Sequence, residues 1–251
     1  MTHLQLNQEL LATLKDKVVV LTGGATGIGR ATVEQFNSKA NPMSAYLNIR
    51  LIPYREWSPG RLGDVNDGVA HQGASKLGAG AYFVHCDTSY SDQLTLFTTA
   101  EKVFHRVDIV VANASIAHHK DIFAPDQDVS REPSMAEIDV NTKGTLFTTR
   151  IGILYLRKYG GGDIVLVSSI AVFKESGGVA TYTASKHGVI GLMRGLHLTA
   201  SPENIRINVV CPWMTSKSSS PPTVSPRLTL PRKLVGERDR GRLVPAQPAD
   251  K

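Results

Sequence analysis

Val18-Val-Val-Leu21, bounded by Asp16 and Gly23, runs directly into Thr22-Gly-Gly-Ala-Thr-Gly-Ile-Gly29, and a helical stretch follows from Arg30 to Ser38. A short apolar run without alternation predicts a strand buried on both faces of a sheet. Glycines in the turn after such a strand let backbone N–H groups approach a pyrophosphate, and the helix N-terminus adds partial positive charge. The spacing Thr-Gly-x-x-x-Gly-x-Gly is wider than the Gly-x-Gly-x-x-Gly form of many dinucleotide sites. Alone it would serve equally as a tight turn. Set between a strand and a helix, it favours a dinucleotide cradle formed on Gly23, Gly27 and Gly29, with Thr26 and Ile28 among the expected cofactor-binding residues.

The same alternation continues along the chain. Further strands are predicted at Ala81–Cys86, Val107–Ala112, Ile164–Ser168 and Ile205–Val210, and helices at Asp67–Leu77, Ser91–Phe104, Ser134–Lys158 and Ala180–Ala200. Strands alternating with helices require parallel pairing and crossover connections. The expected fold is therefore α/β, a Rossmann-type doubly wound parallel sheet with helices on both faces. Residues 1–215 are expected to form one domain.

Two segments break the pattern. Residues 41–60 carry three prolines and a tryptophan where a second strand belongs, and they read as an irregular insertion. Beyond Thr215 the chain is rich in Ser, Pro and Arg and holds six of the thirteen prolines. Residues 216–251 are expected to be a disordered basic tail.

The net charge of +6 raises the question of nucleic acid. Residues 217–251 hold eight Lys/Arg against three Asp/Glu, and 41–63 hold three Arg against one Glu, so the remainder carries −1. Neither basic segment interleaves aromatics with its charges, and no nucleic-acid partner is expected. Two cysteines far apart, Cys86 and Cys211, do not form a disulfide framework, which favours a reducing compartment. No window approaches the roughly eighteen apolar residues of a membrane span, and the N-terminus lacks a basic region followed by an apolar run. The expectation is a cytoplasmic protein without a membrane partner. His118, His119 and Asp121 have no further ligands at a recognisable spacing, so no metal site is expected.

Dinucleotide folds usually present an acid roughly 20 residues after the glycines to hold the adenosine ribose. Asp64 stands 35 residues past Gly29 and takes that place only if 41–60 loops out. Its other reading is a cap on the helix beginning near Asn66. In the ribose role its carboxylate would repel a 2′-phosphate, favouring NAD, with NADP possible.

Ser169 is followed by Tyr182-Thr-Ala-Ser-Lys186, a phenol and an amine one helical turn apart with a hydroxyl upstream. A phenol ordinarily titrates near pH ~10 and is a poor base at neutral pH. A lysine on the same helix face, together with an oxidised nicotinamide, favours the phenolate. The phenol then serves as general base for alcohol oxidation or general acid for carbonyl reduction. Ser169, at the end of a strand, could orient the reacting oxygen. Tyr-x-x-x-Lys alone is common and reads equally as an exposed helical pair.

The order of these pieces in one chain resembles the short-chain dehydrogenase/reductase family of Ser–Tyr–Lys type. The likeness rests on Thr22–Gly29, Cys86-Asp87, Asn113-Ala-Ser115, Asn141 in Asp-Val-Asn-Thr-Lys-Gly144, Ser168-Ser169, Tyr182–Lys186 and Cys211-Pro212, and runs from about Lys15 to Thr215. It implies that Tyr182 is the acid/base, that Lys186 binds the nicotinamide ribose, that Ser169 positions the reacting oxygen and that Asn141 holds a water. It further implies Asp87 at adenine, Asn113 and Ala114 along the cofactor channel, and Pro212 at the cofactor. Within the family, His187–Arg194 and Ile205–Thr215 look most like NAD-dependent secondary-alcohol dehydrogenases of the 15-hydroxyprostaglandin dehydrogenase-like and fungal 5′-hydroxyaverantin dehydrogenase-like groups.

The resemblance implies a small-molecule alcohol or ketone substrate and a homodimer built on the helices at 134–158 and 180–200. NADP-linked carbonyl reduction and a catalytically impaired nucleotide-binding remnant are its alternatives. Departures from the family pattern are Ser115 for the usual glycine, the stretch at 41–60, and Lys217 where a nicotinamide-binding threonine is usual, which leaves Thr215 as its candidate replacement. The last strand and the substrate lid of relatives are expected to be missing. Trp213 and Met214 line the substrate pocket or pack in the core.

Overall fold

The computed structural model describes residues 13–36, 44–48, 81–117, 121–174 and 177–213. All of them lie in one compact unit that ends at Lys217. Six strands are paired in parallel: β1 (Val18–Thr22), β2 (Ser44–Asn48), β3 (Ala81–Val84), β4 (Ile109–Ala112), β5 (Gly162–Val167) and β6 (Ile205–Val210). Their order is β3-β2-β1-β4-β5-β6. The chain winds outward from β1 to β3, returns to the other side of β1, and winds outward again. Between the carboxyl ends of β1 and β4 the direction of winding reverses, and in open α/β sheets this reversal leaves a crevice.

Every residue of β1 and of β4 is buried, as their unbroken apolar runs require. Alternate side chains enter two cores. Val18, Val20, Val110, Ala112, Ile164 and Leu166 face Leu96 and Phe97 of α2 (Tyr90–Phe104), Ile151 and Leu156 of α3 (Thr145–Lys158) and Val189 of α4 (Ala180–Ala200). On the opposite face Val19, Leu21, Ile109 and Val111 pack with Val33 of α1 (Gly27–Phe36). Helices thus cover both faces. Helix α2 starts where Ser89 Oγ accepts a hydrogen bond from the Asp92 N–H (3.2 Å), and it stops at His105 in the left-handed region (φ 61°).

Two sequence expectations change. The stretch 41–60 is not irregular throughout, because Ser44–Asn48 pairs with β1 on one side and β3 on the other. Parallel ladder bonds use the backbone of these five residues, and the prolines at 42 and 53 fall outside them, so the breakers bound the strand and do not interrupt it. The helix expected over Ser134–Lys158 begins later and is broken in character. A π-helical segment, Ile138–Gly144, precedes α3. The helix expected at 67–77, the tail 216–251, and the final strand and lid expected to be missing lie outside the described residues.

Below the amino end of β4, Asp108 gathers three partners. Its carboxylate accepts from the Val18 N–H (2.9 Å), from Arg106 Nε and Nη2 (2.8 and 2.6 Å), and from Lys17 Nζ (3.3 Å). Burial would raise this carboxyl; the Arg106 guanidinium, the Val18 N–H and the Lys17 ammonium outweigh it and hold it below the ordinary aspartate range. The group therefore contributes stability that is present above the ordinary aspartate range and is lost as pH falls through its lowered pKa. Asp108→Ala should lower unfolding free energy by about 1–3 kcal/mol at pH 7, because it strands the β1 N–H. The difference from wild type, measured by urea denaturation, should shrink toward strongly acidic pH.

Candidate active site

The glycine turn leaves β1 at its carboxyl end. Gly23 and Gly27 have φ of +72° and +58°, a region that L side chains rarely adopt. Gly29 is needed for another reason. A Cβ there would fall 2.1 Å from Gly23 O and 2.5 Å from Asn113 Nδ2. Helix α1 begins at Gly27 with no acidic residue in its first turn, so its positive end is not cancelled by its own side chains. Thr26, Gly27 and Ile28 are exposed and Gly29 is buried. This turn therefore offers backbone donors outward while its inner face is packed shut.

Asn113 is what shuts it. Its Nδ2 donates to Thr22 O (3.1 Å) and Gly23 O (2.8 Å), while the N–H groups of Asn113 and Ala114 both donate to Thr22 Oγ1 (3.1 and 3.2 Å). The side chain expected along the cofactor channel splints the turn to the end of β4. Asp87 is also committed locally, accepting from the Thr88 N–H at 2.6 Å. Its neighbour Cys86 is buried, and burial followed by the Asp92 and Asp87 carboxylates pushes its thiol far above the ordinary range, which disfavours the thiolate.

Asn141 sits inside the π-helical segment and is fully buried. Single π turns are frequently found at functional sites. Asn141 Oδ1 accepts from the Ile116 N–H (2.8 Å), and its Nδ2 donates to Ile116 O (2.8 Å) and to Ser185 Oγ (2.9 Å). Ser185 Oγ in turn donates to Tyr182 O (2.6 Å), and Thr142 Oγ1 donates to Ser185 O (3.0 Å). A continuous polar path thus joins the loop after β4 to the first turn of α4.

On α4, Tyr182 is half-buried and Lys186 is 2% exposed. Lys186 Nζ donates to Val167 O (3.0 Å) at the end of β5 and lies 5.7 Å from the centroid of the Tyr182 ring. Burial depresses the Lys186 ammonium to about 8, with Cys211 acting weakly the other way. Ser168 Oγ donates to Lys186 O (2.9 Å). Ser169 is buried, and its Oγ accepts from the Ala171 N–H (3.2 Å), which caps the turn Ile170–Val172. That bond uses an oxygen lone pair and leaves the O–H to be donated. Pro212 O accepts from the Ile170 N–H (3.0 Å), tying the loops after β5 and β6.

The structure therefore gathers Ser169, Tyr182, Lys186 and Asn141 around the carboxyl ends of β4 and β5, and Gly23, Gly29, Asn113 and Ala114 around those of β1 and β4. Asp64, Thr215, His118 and His119 lie outside the described residues. Among the described residues no three His, Cys, Asp or Glu side chains cluster as a metal site would require, and no helix is long and apolar enough to cross a membrane. Thr22, Ser168, Ile116 and Ser185 were not singled out by sequence reasoning as bonding partners. Only Ser185 had a local signal, lying between Tyr182 and Lys186.

A family model described as short chain dehydrogenase matches residues 61–224, extending past Thr215, where the family pattern was expected to end. The short-chain dehydrogenase/reductase ascJ of Acremonium egyptiacum is 33% identical over 233 residues, covering 89% of this chain and 72% of that protein. The short-chain dehydrogenase/reductase prx4 of Penicillium rubens is 31% identical over 220 residues, and this chain spans 59% of its length and matches over 86% of its own. A crystal structure of 3-ketoacyl-(acyl-carrier-protein) reductase from Brucella melitensis complexed with NADH superposes with a TM-score of 0.66 at 24% identity, covering 80% of this chain and 76% of that one.

The buried ammonium carries a stability signature. Lys186 has a folded pKa of about 8 against an ordinary 10.5, so between these values the unfolded chain binds more protons and stability rises with pH. Replacing Lys186 by Met should stabilise the chain at pH 7 by up to ~3 kcal/mol, less about 1 kcal/mol for the lost bond to Val167 O. This advantage, read from urea midpoints, should shrink as pH climbs from about 8 toward 10.5. A difference independent of pH would contradict the buried charge.

Proposed function

This chain belongs to the short-chain dehydrogenase family, and from that premise we propose that it interconverts a secondary alcohol and a ketone with a nicotinamide dinucleotide, Tyr182 being the general acid/base. The observation that carries the reading is the joint placement of Tyr182 and Lys186 one turn apart on α4, with Lys186 buried and held to Val167 O, two residues before Ser169. The glycine turn fits a dinucleotide pyrophosphate, because Gly29 has no room for a Cβ and the α1 N-terminus is left without a compensating acid. When bound, the nicotinamide supplies or accepts the hydride.

The chain's own residues do the rest. Ser169 donates its O–H to the substrate oxygen and fixes that oxygen against the end of β5. Tyr182 exchanges the hydroxyl proton with the same oxygen, taking it during oxidation and returning it during reduction. The Lys186 ammonium, in a low-dielectric setting, stabilises the phenolate form of Tyr182 and would hold the nicotinamide ribose when the cofactor is bound. Asn141 acts through Ser185 and Ile116, keeping the first turn of α4 at a fixed distance from the loop after β4. NAD is the proposed cofactor, with Asp64 as the acid expected to select it.

Turnover of NAD⁺ with a panel of secondary alcohols, followed at the nicotinamide absorbance, tests the reading. Tyr182→Phe should lower the rate by about 10²–10⁴-fold with NADH affinity nearly unchanged, and a mutant of near wild-type rate would refute the assignment. Gly29→Ala should act in the opposite way, abolishing NADH binding in a fluorescence titration because its Cβ would collide with Gly23 O.

A further inference from the structure

We propose that Lys174 and Trp213 form an anion-accepting rim on the substrate site, so that the favoured alcohol or ketone carries a carboxylate on an apolar body. This rests on the oxidoreductase reading above and names the substrate class for the same site. Lys174 Nζ lies 3.7 Å from the centroid of the Trp213 ring. Trp213 is 58% exposed and the adjacent Phe173 is 73% exposed, so neither aromatic belongs to the core.

The two partners sit where ligands bind in this fold class. Lys174 lies on the loop that leaves β5 through Ser169 and the Ile170–Val172 turn, and its N–H donates to Ile170 O (3.0 Å). Trp213 lies on the loop that leaves β6, and the Ile170–Pro212 bond (3.0 Å) joins the two loops beside Ser169. Both loops emerge at carboxyl ends of neighbouring parallel strands, the ligand-binding edge of an open α/β sheet.

The setting of Lys174 differs from that of three other lysines among the described residues. Lys17, Lys143 and Lys158 are each held by a carboxylate, of Asp108, Asp139 and Glu101. Among the described residues Lys174 is held by an indole face. An aromatic face attracts a cation without neutralising its charge or occupying all three of its N–H donors. It also restrains a side chain that otherwise loses considerable rotamer freedom on binding. Lys174 is therefore an ordered ammonium with donors to spare, beside two exposed aromatic surfaces and within one short turn of the hydroxyl that orients the reacting oxygen. A carboxylate fits the ammonium, and an apolar chain or ring fits the aromatic rim.

The test uses Trp213 itself as reporter. The chain has two tryptophans, so Trp57→Phe leaves Trp213 as the sole emitter. Octanoate and octanamide, matched in apolar length, are titrated against its emission. The expected result is saturable quenching by both, with octanoate bound about fivefold more tightly at low salt. Lys174→Met should equalise the two ligands without weakening octanamide, and Lys174→Arg should keep the preference. Equal binding in the parent protein, or a preference that survives Lys174→Met, would overturn the proposal. Tyr182→Phe should leave the preference untouched. A carboxylate preference in a chain without alcohol turnover would count against the reaction reading alone, and turnover without the preference would count against this inference alone.

Discussion

The side-chain amide of Asn141 closes three hydrogen bonds in a fully buried position, two to the backbone of Ile116 and one to Ser185. Two parts of the molecule that are remote in sequence depend on it. On one side, the loop through Ile116 continues from Asn113 and Ala114, which splint the glycine turn. On the other, Ser185 holds the carbonyl of Tyr182 at the first turn of α4. Loss of any member would leave buried donors or acceptors unsatisfied, at a cost of about 1–3 kcal/mol each. The π-helical turn that carries Asn141 is the local departure from regular geometry that accompanies this connection. The glycine turn after β1 and the first turn of α4 are thereby held in one frame.

The second constraint is the burial of a charge. Lys186 is among the largest fully buried side chains, and a buried ammonium is costly unless paired. Here it is held by a backbone carbonyl, while the main chain of the same residue accepts from Ser168. A chain selected for stability alone would place an apolar side chain there. Sites that give up stability in this way are commonly functional.

Much of this was legible from residue order. Unbroken apolar runs such as Val18–Leu21 and Ile109–Ala112 predict strands covered on both faces, and the helix at Ala180–Ala200 ends at the same residues in sequence and structure. The strand at Ser44–Asn48 was hidden by the prolines around it, because five residues are too few for period to outweigh such breakers. The splinting bonds of Asn113 were not legible for a different reason. A side chain that splints a turn and one that touches a ligand leave the same letter in the same place, and only the distances to Thr22 and Gly23 separate them. Ser185 was overlooked between two more reactive neighbours, although its hydroxyl links the Tyr182 carbonyl to Asn141. Lys174 carried no motif at all, since its significance lies in a contact with Trp213, thirty-nine positions away.

The most direct test of the account is a crystal structure of this chain with NADH. Tyr182 Oη and Ser169 Oγ should both stand within about 4 Å of one point beside the hydride-bearing carbon of the nicotinamide, where a substrate oxygen can meet them. A nicotinamide bound elsewhere, or a Tyr182 ring turned away from it, would contradict the assignment of proton transfer to this residue.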